Sequence, residues 1–228
     1  AKSSFVVASF INHALTENNA LIPSIDTILQ GYILATALRA HTIAPSPSKF
    51  DNTTILLDTP IVISALGYNG VERSGPALEL IAILKEHKAH VACFRRTVDE
   101  IRGILLAQAD SITTRASRHN HGSSLDHFIR TNTAPSTIEI LAAQLENNIP
   151  RLGIQCIEQP SVDNKDYQVD EGGFERLIEK EIDYHHRAPI VHDASCIASV
   201  ARMRRGHHAS QIERCRAIFA TTNSKLAR

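Results

Sequence analysis

Short unbroken apolar runs alternate with stretches of helical spacing along most of this chain. Thr54–Leu57 is a β-rich run that does not alternate apolar with polar, as a buried parallel strand would read. Pro60 follows it at a first helical turn, where a missing N–H costs nothing. A helix is expected after Gly75-Pro76, through Leu80, Ile81 and Leu84. His90–Phe94 reads as the next strand, and Thr97 as the opening of another helix. Leu152–Glu158 and Ala217–Thr222 read as third and fourth strands. Phe174–Tyr184 and Ala194 to about Arg205 read as helices between them. Such β-α-β-α alternation implies an α/β protein in three layers (α/β/α) around a mainly parallel sheet.

Two regions depart from the alternation. Residues 4–18 and 24–39 read as helices, the second capped by Ser24, and APSPSKFDN (44–52) reads as a linker. The expected organisation is a helical segment over 1–45 and a domain over 53–228. Residues 108–150, polar and then helical at Leu125–Arg130 and Ser136–Asn147, read as a helical insertion or lid. The acidic loop 159–172 is expected to be mobile.

Composition narrows the class. Among 228 residues, Lys+Arg and Asp+Glu both number 24, so net charge draws the chain toward neither nucleic acid nor membrane. The charges are unevenly placed, however. Arg95, Arg96, Arg102, Arg115 and Arg118 form one basic stretch, and the segment from Arg202 to Arg228 forms another. The interval from Glu158 to Asp183 is acidic. No two of Cys93, Cys156, Cys196 and Cys215 stand at CxxC spacing, so they read as free thiols of a reducing compartment. No apolar run reaches the ~20 residues that span a bilayer. FVVASFI is too short for a signal peptide and lacks a cleavage site. A cytoplasmic protein with no membrane partner is expected.

Three carboxylates sit where an apolar run meets a helix: Asp58 in ILLDTPIVISAL, Glu100 in FRRTVDEIRGIL and Asp193 in APIVHDASCIASV. Each has a structural explanation. Asp58 and Asp193 stand where N-caps belong, and Thr97–Glu100 matches a capping box. Taken together they lie near the carboxyl ends of parallel strands, where open α/β sheets bind ligands. Convergent carboxylates without a local basic partner are costly unless a cation neutralises them.

In order and spacing, LLDTPIVISAL, TVDEIRGIL, HDASCIASVARMRRG and IFATTNSKLA resemble the PIN-domain nucleases. The resemblance covers about residues 53–228, with 108–186 unmatched. It implies a flavodoxin-like fold and metal-dependent cleavage of single-stranded RNA by activated water. It further implies Asp58, Glu100 and Asp193 as ligands of Mg²⁺ or Mn²⁺. The family commonly has a fourth acid after the closing strand. Asn223 stands there, implying a catalytic position without charge and a one-metal site. His192 could touch substrate and Thr59 and Thr222 could orient water; a structural role explains His192 at least as well, and Thr59 and Thr222 better. The expected partner is single-stranded RNA, with a second copy or a neighbouring domain as protein partner. The competing reading is a degenerate PIN-like module that binds RNA or protein without cutting. Pro60 stands where a haloacid-dehalogenase phosphotransferase needs its second Asp, and neither a Gly-rich dinucleotide turn nor a P-loop occurs.

Overall fold

A computed structural model describes residues 50–114, 124–161, 167–182 and 187–226, with Phe10 and His13 before them. The chain divides into two compact units, Ala1–Pro47 and Ser48–Arg228. Of the first unit, Phe10 and His13 are helical. The rest of the expected helices 4–18 and 24–39 lies outside the described residues, as do 162–166 of the acidic loop.

The second unit is an α/β protein in three layers. Its four strands are β1 (Thr54–Leu57), β2 (His90–Phe94), β3 (Gln155–Ile157) and β4 (Ala217–Ala220). All pairings are parallel, in the order β3-β2-β1-β4. Ile55 stands opposite Val91 and Ile218, and Leu57 opposite Ala220. The first, second and fourth strands follow the apolar runs closely. The third is shorter than expected, because only Gln155–Ile157 pairs with β2.

Successive strand residues point to opposite faces, and each face is covered by helices. Ile55, Leu57, Val91 and Cys93 join one large core. Helices α1 (Thr59–Ala65), α2 (Val71–Glu86) and α3 (Arg95–Thr114) build that side. Leu56, Ala92 and Phe94 point the other way, onto Cys196 and Val200 of α8 (Arg187–Arg204). Helix α7 (Glu171–Glu181) packs beside α8 through Ile178, Ile190 and Ala194. Among the described residues no helix is long and apolar enough to cross a membrane.

The segment read as an insertion or lid forms α4 (Ser124–Arg130), α5 (Pro135–Ala143) and α6 (Leu145–Arg151). Ile138, Ala142, Leu145 and Ile149 are fully buried there and share one core with Val98, Ile101 and Leu105 of α3. These helices are therefore part of the layer that covers the sheet. The polar start of that stretch, through Thr114, continues α3.

Several helix starts differ from the sequence reading, among them α7, which begins at Glu171 and not Phe174. Helix α2 begins at Val71, behind Gly70, whose φ of 96° is open to glycine and strained for other residues. Pro76 lies inside it and gives up one backbone bond. Helix α3 follows β2 without a loop, at Arg95, so Thr97 opens nothing. Its buried hydroxyl has no hydrogen-bond partner. Helix α8 is already helical at Arg187, where the described residues resume, so it starts well before the expected Ala194.

Candidate metal centre

The strand order reverses between β1 and β4, since the chain builds outward from β1 to β3 and then returns to the other side. Side chains at the carboxyl ends of these two strands therefore border the crevice of the sheet. Asp58 follows β1 directly, and Thr221 follows β4. The Asp58 N–H donates to the Ala220 carbonyl at 2.9 Å, which fixes the two strand ends together.

Asp58 is 5% exposed and both its oxygens are held. Oδ1 accepts from the Thr59 N–H at 2.8 Å, so the expected cap of α1 is present. Oδ2 accepts from the Thr221 hydroxyl at 2.7 Å. The Thr59 hydroxyl donates to Glu100 Oε2, linking the start of α1 to α3.

Helix α8 runs antiparallel to the strands. Near its end Arg204 Nε donates to the carbonyl of Ala217, at the start of β4. Its earlier turns consequently lie at the carboxyl end of the sheet, and they carry His192 and Asp193. Ligand atoms of Asp58, His192 and Asp193 all fall within 4.8 Å of one another, and all three residues are buried. Two ionised carboxylates at such a separation repel by roughly 3 kcal/mol at an effective dielectric constant of ~20. A dication between them turns that repulsion into attraction.

Glu100 stands beside this group through His192, with Oε2 lying 3.1 Å from Nε2. Cys196 Sγ lies 3.5 Å from the same nitrogen. Burial pushes the Glu100 carboxyl up, the Thr59 hydrogen bond works against that, and the Asp58 charge adds to it. Burial also pushes the His192 imidazole down, against the pull of Asp58 and with the push of Arg96. Burial thus favours the neutral ring, and its Nε2 stands within hydrogen-bonding distance of Glu100. The Cys196 thiol is pushed far up by burial and by Asp58, Asp193 and Glu100, which keeps it a thiol.

The capping explanations separate here. It holds for Asp58, in part. It fails for Glu100, which turns to Thr59 and His192 while Thr97 is unpartnered. It fails for Asp193, which lies well inside α8 and cannot cap its start.

Asn223 is placed differently. Its side-chain carbonyl accepts from the backbone N–H of Lys225 at 3.1 Å and of Leu226 at 3.4 Å, closing a turn after β4. Thr221, and not Thr222, carries the hydroxyl that reaches Asp58, because β4 ends at Ala220. Much of the basic stretch is also committed elsewhere. Arg95 pairs with Glu146 and Glu158, and Arg102 with Asp99 and Glu146. Arg202 pairs with Glu171 at 2.6 Å. Arg115 and Arg118 lie outside the described residues. Arg96 remains the cation whose field reaches Glu100, His192 and Cys196. Two cavities of about 440 and 630 Å³ both have Thr221 in their lining, and neither is lined by Asp58, Glu100, His192 or Asp193.

The opposed shifts give a pH signature. Above the ordinary carboxylate pKa the folded protein keeps a proton on Glu100 that the unfolded chain has released. Stability therefore falls as pH rises from 4.5 through the elevated value. His192 acts oppositely. Below 6.5 the unfolded chain takes a proton that the folded protein refuses, so stability rises with pH up to that value. Glu100→Gln removes the first slope and keeps an acceptor for both donors. The metal-free variant is expected to gain stability over the native chain progressively as pH is raised above 4.5. Thermal melts across pH in the presence of chelator measure it, and coincident profiles would contradict the assignment.

Comparison of the chain with protein-family models, with curated proteins and with solved structures finds no match.

Proposed function

We propose that this chain is a metal-dependent endonuclease that hydrolyses phosphodiester bonds of single-stranded RNA. The observation that carries the reading is the convergence of Asp58, His192 and Asp193 within 4.8 Å at the strand-order reversal. Buried carboxylate and imidazole donors fit a divalent cation, and the mutual repulsion of the carboxylates favours its uptake. A bound dication supplies acidified water and neutralises charge on the phosphate.

The chain's own residues do the rest. Asp58 and Asp193 hold the cation, with His192 beside them. The Thr59 N–H and the Thr221 hydroxyl fix the two oxygens of Asp58, so the carboxylate is set before substrate arrives. Glu100 orients the His192 ring. Arg96 adds positive potential on the α3 side, where it attracts a phosphate backbone. Aromatic residues make up 5% of the chain, so recognition rests on backbone and shape.

One observation favours the alternative of a non-cutting RNA- or protein-binding module. Asn223 spends its carbonyl on backbone amides at the position where the resemblance implies a fourth acid. A single assay separates the two. Labelled single-stranded RNA is expected to be cut with Mn²⁺ and spared with chelator, and Asp58→Asn is expected to abolish cutting. Asparagine there can still accept from Thr59, so the fold is kept. Cutting that survives Asp58→Asn refutes the proposal, and so does binding of RNA without cutting by the native chain.

A further inference from the structure

We propose that the centre of Asp58, His192 and Asp193 is a mixed nitrogen–oxygen site that takes a first-row transition dication such as Mn²⁺ and takes Mg²⁺ poorly. This rests on the reading that the three residues hold a metal, and it names which metal.

The donor set is the first argument. Three carboxylates would form an all-oxygen site, the preference of Mg²⁺. The residues that converge within 4.8 Å are instead two carboxylates and an imidazole. Imidazole nitrogen suits Fe²⁺, Ni²⁺, Cu²⁺ and Zn²⁺ best; Mn²⁺ stands lowest in the first-row order but still accepts a nitrogen beside carboxylate oxygens, whereas Mg²⁺ favours oxygen.

The second argument is how His192 is held. Its Nε2 lies 3.1 Å from Glu100 Oε2, and Glu100 is itself fixed by the Thr59 hydroxyl. A carboxylate that accepts one ring N–H sets the tautomer, aims the ring and raises its basicity as a ligand. The lone pair then stays on the other ring nitrogen. Glu100 thereby becomes a positioning residue that acts through His192, and not a ligand. This differs from its expected place in a set of three acids.

The third argument is the wall of the site. His192 is 4% exposed and Cys196 fully buried, with sulfur 3.5 Å from the ring. Mg²⁺ gives up its waters reluctantly and usually keeps several. A dry wall of imidazole and thiol does not replace them with oxygen.

Mn²⁺ itself is the probe, added to the chelator-stripped chain and followed by electron spin resonance. The expected result is one bound Mn²⁺ whose spin-echo modulation shows an imidazole nitrogen, displaced by Mg²⁺ only at more than about tenfold excess. His192→Gln is expected to remove the nitrogen signal and to weaken Mn²⁺ by about 10- to 100-fold. It should leave the weak Mg²⁺ affinity unchanged. The spectrum of the native chain decides the matter even where the variant does not fold. Bound Mn²⁺ without nitrogen modulation, or equal competition by Mg²⁺, overturns this inference and leaves the carboxylate centre of a nuclease intact. No Mn²⁺ binding at all overturns both.

Discussion

Asp193→Asn is expected to abolish Mn²⁺-dependent RNA cleavage and, in the metal-free protein, to raise the melting temperature. The two effects share one cause. Asp193 is buried, and it lies within 4.8 Å of Asp58 and His192. Two aspartates ionised together at that separation repel by roughly 3 kcal/mol at an effective dielectric constant of ~20 when no cation lies between them. Asparagine is nearly isosteric and removes that repulsion. It removes no helix cap either, because α8 is already helical at Arg187. A gain of about 1 kcal/mol would raise the melting temperature by roughly 2–4 °C in a domain of this size. Loss of a carboxylate from the centre costs cleavage at least about 100-fold, the upper end of what loss of an outer partner costs. With Mn²⁺ the order of stability reverses, since the native chain gains by binding and the variant does not. Melting curves with and without Mn²⁺, set beside a cleavage assay, read all three effects. A purely structural Asp193 would show stability and activity falling together, whatever the metal.

Legibility of the fold divides along physical lines. The strands were legible because a parallel strand covered on both faces leaves an unbroken apolar run. Thr54–Leu57 and His90–Phe94 match such runs residue for residue. Helix starts were harder. Pro76 reads as preceding a helix and lies inside α2, while Pro189 lies within α8, whose start is read only at Ala194. Backbone energetics alone does not place either start, because packing decides which lost bond is tolerated. The errors at α3 and α8 bear on the centre, for they made Glu100 and Asp193 resemble caps. With the true starts, each acid is well inside a helix and needs another explanation. Asp58 and Asp193 were legible as candidate ligands through the resemblance carried by motif order, and the structure brings the two together. His192 was visible as the neighbour of Asp193, but its ring contact with Glu100 crosses from α8 to α3 and has no local sequence signal. The Thr221 contact depends on where β4 ends, at Ala220, two residues before the expected end at Thr222.

Ile149→Ala is expected to cost about 2–5 kcal/mol of stability, the range for a large aliphatic side chain cut back in a packed core. Ile149 is fully buried on α6, in the same cluster as Ile138, Leu145, Val98, Ile101 and Leu105. The cost has two parts: transfer of the lost methyl groups, and a cavity that rigid neighbours on α3 cannot close. A lid that only opens and closes over substrate would behave otherwise. Truncating a side chain on it would change turnover and leave unfolding within about 0.5 kcal/mol of the native chain. Urea unfolding separates the two, with the midpoint expected to fall while the slope is kept. The same packing links this layer to the centre. Ile101 is fully buried in that cluster, and its neighbour Glu100 reaches Thr59 and His192. Cleavage by the Ile149→Ala protein should therefore match the native rate well below its melting temperature and fail early on heating, as α3 loosens and Glu100 loses its hold on the ring.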